Sequence, residues 1–145
     1  MTMAYLNYLA SAPSAQVEAV KSDPNALIAP TLFVSVSHLI AYWVQVQPLG
    51  QLLGQAIDGG EIIHSSLQHK LRDPCYHDPD AVRSLNTQLS SEWLQVTSTQ
   101  PIAPDDWYRI EIEKVLLLFG HAAERGECVV NCLDPCHILF FKPRT

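Results

Sequence analysis

The chain changes its hydrophobic period several times, and each change predicts an element. "LFVSVS", residues 32–37, alternates and is rich in β-branched side chains, which predicts a strand. Ser37 could equally cap a helix from His38 to about Gln47, with Ile40, Trp43 and Val44 on one face. Pro48 fits the first turn of a further helix, with Leu49, Leu52, Leu53 and Ala56 at helical spacing. Asp58, Gly59 and Gly60 end it, since glycine supplies the positive φ that many helix C-termini adopt. Earlier in the chain, "SAPSAQVEAVKSDP" predicts a short helix with Ser14 as its N-cap and a stop at "SDP".

Two longer helices follow. In "HDPDAV", Asp78 is the expected N-cap, Pro79 the first helical residue and Asp80 a favourable charge in the first turn. Val82, Leu85, Leu89 and Trp93 then recur at spacings of three and four, which predicts an amphipathic helix to about Trp93. Asp105 is the expected cap of the last helix, whose core face carries Tyr108, Ile112, Val115, Phe119 and Ala122. Glu111 with Lys114, and Arg109 with Glu113, lie within pairing reach on its outer side. Gly126 is its natural C-cap. Val115 to Leu118 is apolar all round, so a second layer or a dimer contact is expected over the middle of this helix. "ECVVNCL" after it predicts a β-branched closing strand.

Composition narrows the class. The 145 residues are 48% hydrophobic and 17% charged, and length alone favours one domain. Nine Lys and Arg stand against 15 Asp and Glu, for a net charge of −6. That balance argues against a general electrostatic grip on nucleic acid or on an anionic membrane surface. No apolar stretch approaches the length of a membrane span. The opening "MTMAYLNYLASAPSAQ" has an apolar centre and an "ASA" that mimics a cleavage site. It lacks a basic leader, and two tyrosines and an asparagine interrupt it. It reads as a short strand or helix on the core of a cytoplasmic protein with reduced thiols.

The densest chemistry is "CVVNCLDPCH", residues 128–137. On a strand, Cys128 and Cys132 share a face but stand about 13 Å apart. Ligands of one zinc ion lie within about 4.6 Å of each other, so a strand prevents both from holding it. Pro135 and the β-branched pair oppose the helix that would gather the thiols. There is no CxxC, and no metal or cofactor is expected, although Cys136 and His137 could join Cys75 or another histidine in space. Buried inert thiols are the simpler reading of Cys128 and Cys132.

The stretch 61–78 is expected to be an irregular loop, with two Asp-Pro pairs and His64, His69 and His77 around Arg72. One reading is a polar pocket in which Arg72 and the imidazoles bind an anionic or amide group. The other is an ordered surface loop whose histidines cap turns. Cys75 is the best candidate nucleophile, because Tyr76 and His77 adjoin it. His38, on an apolar segment, reads as a core residue. The glycines of "GQLLGQAIDGG" lack any nucleotide-binding spacing, and no hydrolase or metalloprotease signature occurs. Asp105 and Asp106 suit a helix start and need not form an acid–base pair.

"AIDGGEII" followed by "HDPDAVRSLNTQL", with the closing "IEKVLLLFGHAAERGECVVNCLD" and the opening "LNYLASAPSAQVEAV", resembles the YfbM-like family of small bacterial domains. The matching positions Gly59, Gly60, Val82, Ala122, Ala123 and Gly126 all read as structural. The resemblance implies an α/β domain with a small mixed sheet flanked by helices, closed by a long helix and a terminal strand, and it implies no established activity. The expectation is a non-catalytic binding or interaction module, homodimeric or engaging a protein partner, for instance as an immunity-type protein. The alternative is a small enzyme using His64, His69, Arg72, Cys75 and His77.

Overall fold

The computed structural model describes residues 6–23, 26–37, 48–63, 74–99 and 102–132. Within them the elements follow in the order β1 (Leu6–Ala12), α1 (Ser14–Ser22), β2 (Leu32–Ser37), α2 (Leu49–Asp58), β3 (Glu61–Ile62), β4 (Cys75–His77), α3 (Pro79–Thr99), α4 (Trp107–Arg125) and β5 (Cys128–Cys132). The strands form one five-stranded sheet in the order β2-β1-β5-β4-β3. The expected α/β class, with a long helix leading into a closing strand, is what the chain adopts. The sheet is not mixed: all four pairings are antiparallel. The last strand, β5, enters between β1 and β4 and runs against both, a direction that a hydrophobic pattern does not encode.

The register sorts the side chains. Leu9 faces Val34 and Asn131, Asn7 faces Val36, and His77 faces Val129. Because paired residues share a face, Asn7, Leu9, Ser11, Val36, Cys75, His77, Val129 and Asn131 lie together. Leu9, Val36 and Val129 from this face join one core cluster with Leu53 of α2, Leu89 of α3 and Phe119 of α4. The opposite face carries Ala10, Ala12, Tyr76, Cys128 and Val130 against Val17 and Val20 of α1, closed by Ile28 and Ile63. Helices therefore cover both faces.

Several helix ends form by other means than their sequences suggest. Asp78 caps α3 as expected, accepting from the Ala81 N–H at 2.8 Å. That helix runs beyond Trp93 to Thr99, with Val96 also buried. Pro13, not Ser14, is the capping residue of α1, and the Ser14 hydroxyl lies 3.5 Å from the Cys128 sulfur instead. Asp106 rather than Asp105 occupies the cap position of α4. Gly126 adopts φ 67°, the left-handed C-cap expected of it. Gly59 does not, with φ −91°. Its neighbour Gly60 is small for a different reason: a Cβ there would stand 2.5 Å from the Tyr76 carbonyl oxygen.

Helix α4 packs one-sidedly. Ile112, Val115, Leu118, Phe119 and Ala122 are fully buried, whereas Leu117 is 61% and Ile110 44% exposed. Among the described residues no second layer covers Leu117. On the partly buried side, Lys114 donates to the Ser35 carbonyl at 3.1 Å and pairs with Glu111, and Glu111 accepts from the Ser37 N–H at 2.9 Å. These contacts tie α4 to the backbone of edge strand β2. No helix among the described residues is long and apolar enough to cross a membrane.

Candidate functional site

Of the five residues singled out by sequence, two lie in the described structure. His64, His69 and Arg72 fall outside the described residues, as do Cys136 and His137. Cys75 and His77 are not in a loop: they form β4, paired on both sides, and both are buried. A three-residue strand buried at every position leaves no alternation to read, and Asp-Pro pairs on either side of it suggest a loop.

His77 has a definite task. Its Nε2–H donates to the carbonyls of Gln55 and Ala56, at 3.0 and 3.2 Å, in the last turn of α2. Asn131 of β5 donates to the next carbonyl, that of Ile57. A helix leaves its last carbonyls without internal partners; here the Gly59 N–H serves Gln55 at 2.9 Å, and two sheet side chains add donors for Gln55, Ala56 and Ile57. Burial first of all pushes the His77 imidazole below its ordinary value, against the opposing pull of those carbonyls. Cys75 shares this face, while Cys128 is on the other, so the sheet separates the two thiols. Burial pushes the Cys128 thiol up, and Ser14 only partly opposes this. A thiol held protonated is a poor nucleophile.

A polar cluster that no sequence motif announces sits where β1, β2, α4 and β5 meet. Thr31 Oγ1 lies 2.6 Å from Glu127 Oε1, 2.7 Å from Ser11 Oγ and 3.1 Å from His121 Nε2. Arg125 Nε donates to the other Glu127 oxygen at 3.2 Å. A hydroxyl with a histidine and a carboxylate suggests nucleophilic catalysis, but proton accounting gives another answer. Two acceptors face the single Thr31 proton, the Glu127 carboxylate at 2.6 Å and the Ser11 carbonyl at 3.3 Å, and it goes to Glu127 at the shorter contact. Ser11 and His121 must then both donate to Thr31. With Nε2 protonated, His121 cannot take a proton from Thr31. Glu127 also approaches the same ring nitrogen, at 3.9 Å, rather than the opposite one that an orienting carboxylate would hold.

The second sheet face holds a similar chain. The Tyr76 hydroxyl accepts from Lys21 Nζ at 2.5 Å and donates to Glu61 Oε2 at 2.7 Å. Lys21 draws the phenol down, but burial and Glu61 outweigh it, and the phenol stands above its ordinary value. The hydrogen bond with Tyr76 raises the Lys21 ammonium despite some desolvation. Tyr76 is thus a protonated bridge between a cation and a carboxylate.

Outside these clusters, α2 and α3 leave an open groove of about 540 Å³ between them. Gln51 and Gln55 of α2 face Thr87, Gln88, Ser91 and Glu92 of α3 across it. Leu52 and Pro48 supply its apolar part. The volume falls within the range of roughly 300–1,000 Å³ common for ligand sites. Its lining is rich in amides and hydroxyls, which both donate and accept. The position of α2, one wall of the groove, is fixed by the His77 and Asn131 bonds to its last turn.

No family model matches the chain, and neither does any curated protein or solved structure. The site reading therefore rests on geometry alone. Among the described residues no group of three or more His, Cys, Asp or Glu could hold a metal ion. Sequence did carry one overlooked signal for the groove. Gln51 and Gln55, and likewise Gln88 and Glu92, sit four apart on the outward sides of amphipathic helices. Nothing local signals the Thr31 cluster, whose members Thr31 and Glu127 are 96 residues apart.

Proposed function

We propose that this chain is a non-catalytic binding module that takes a segment of a protein partner into the groove between α2 and α3. The observation that supports this most is the lining of that groove. It offers hydrogen-bonding amides and hydroxyls with a single carboxylate, and no thiol, imidazole or amine. Such a surface can satisfy the donors and acceptors of a polypeptide but has no nucleophile–base pair to run a reaction. Among the described residues, the titratable clusters elsewhere have their protons engaged in bonds that join elements. A cytoplasmic location and kinship with the YfbM-like domains belong to the same proposal, supported by Cys75 and Cys128 being free of disulfides and by the order of elements.

A second reading, homodimerisation, is favoured by Ile110 and Leu117, two exposed apolar residues seven apart on one side of α4. One experiment addresses both readings. A photo-crosslinking amino acid replaces Gln88, Leu117 or the exposed Glu124 in three separate chains, expressed in the native host. The groove reading predicts a discrete polypeptide adduct from position 88 and none from 124. The dimer reading predicts an adduct of twice the chain mass from position 117. Equal labelling from 88 and 124, or none from either, contradicts the groove reading.

A further inference from the structure

We infer that the segment recognised in the α2–α3 groove is an extended, positively charged stretch of polypeptide, bearing lysine or arginine. This rests on the binding role proposed above and specifies the partner's chemistry. Three features carry it.

The first is charge. Each lysine and arginine among the described residues is already in an ion pair: Lys21 with Glu18, Arg83 with Asp80, Arg109 with Glu113, Lys114 with Glu111 and Arg125 with Glu127. Glu92 is not in any of them. It is the one charged group of the groove, half-buried, and has no hydrogen bond or ion pair among the described residues. A cation arriving there gains an ion pair without breaking another, and the net charge of −6 steers it in. An acidic segment meets only repulsion.

The second is spacing. Gln51 and Gln55 are one turn apart on α2, as are Gln88 and Glu92 on α3, which places each pair about 6 Å apart along its helix. An extended chain repeats every two residues over about 6.6–6.8 Å. Side-chain amides at that interval can meet successive N–H and C=O groups on one edge of such a chain. The third is the availability of those groups. Gln51 and Ser91 carry no side-chain hydrogen bond among the described residues. Gln55 and Gln88 use only their amide nitrogens, on Gly59 and Ser84, so their carbonyl oxygens can accept from an incoming backbone N–H or ammonium.

The test uses the full chain, ¹⁵N-labelled, titrated with acetyl-Gly-Lys-Gly-Lys-Gly-amide and separately with its Glu-for-Lys counterpart. The side-chain amide signals of Gln51, Gln55 and Gln88 are followed by NMR. The expected result is saturable shifts of these signals with the lysine peptide alone. Glu92→Gln should weaken binding roughly two- to five-fold, the scale of an exposed ion pair, and Glu124→Gln should leave it unchanged. Equal shifts of the same signals by the glutamate peptide overturn the charge inference but leave the groove as a peptide site. No groove shifts with either peptide, or weakening by Glu124→Gln as large as by Glu92→Gln, overturn both the inference and the binding role of the groove.

Discussion

His77 shows how far a residue's type can mislead about its task. Beside a cysteine and between Asp-Pro pairs, it invites a catalytic reading; in the fold it donates to two α2 carbonyls and rests against Phe119, with ring centroids 6.0 Å apart. Its depressed proton affinity has a definite consequence. Below the unfolded value of about 6.5, the unfolded chain binds a proton that the folded chain refuses. The His77 contribution therefore destabilises the fold progressively as pH drops from about 6.5 toward the folded value. NMR titration of the imidazole will give a midpoint below 6.5; a midpoint at or above that value contradicts the assignment. The Asp78 cap, in contrast, was fully legible, because a capping aspartate followed by proline is a local rule. Thr31 was not legible at all, because its role depends on a carboxylate 96 residues away that only the folded chain brings near.

At the level of elements, local patterns located the helices better than their ends. The buried faces of α3 and α4 follow from spacings of three and four, and Gly126 adopts the left-handed turn its position implies. Gly59 and Gly60 followed the same rule on paper and a different one in the fold. The end of α2 is satisfied by the Gly59 N–H, His77 and Asn131 without a positive φ, and Gly60 is reserved for the close passage of the Tyr76 backbone. The two glycines should respond differently to alanine. Gly126→Ala meets nothing within 4 Å and carries only conformational strain, about 1–2 kcal/mol. Gly60→Ala meets no such strain but must displace backbone in β4, and will cost more. Urea unfolding of both variants checks this; an equal or smaller loss for Gly60→Ala contradicts the contact. Strands β3 and β4 were hidden because two- and three-residue strands leave no detectable alternation.

For the whole molecule, the α/β class and the helix-then-strand ending were readable because each follows from short-range pattern. The antiparallel order β2-β1-β5-β4-β3 was not, because pairing partners are set by packing across the chain. The same division separates structure from function here. Interior polar groups, from Asn131 to Tyr76 to Thr31, join sheet to helix and strand to strand, while the groove between α2 and α3 presents its hydrogen-bonding groups to solvent. The proposed binding role depends on those interior protons being engaged, most sharply at His121. Its ring nitrogens report directly through ¹⁵N chemical shifts. The structure predicts a protonated Nε2 donating to Thr31. A bare Nε2 with the proton on Nδ1 would make His121 a base facing a hydroxyl, and would contradict the account.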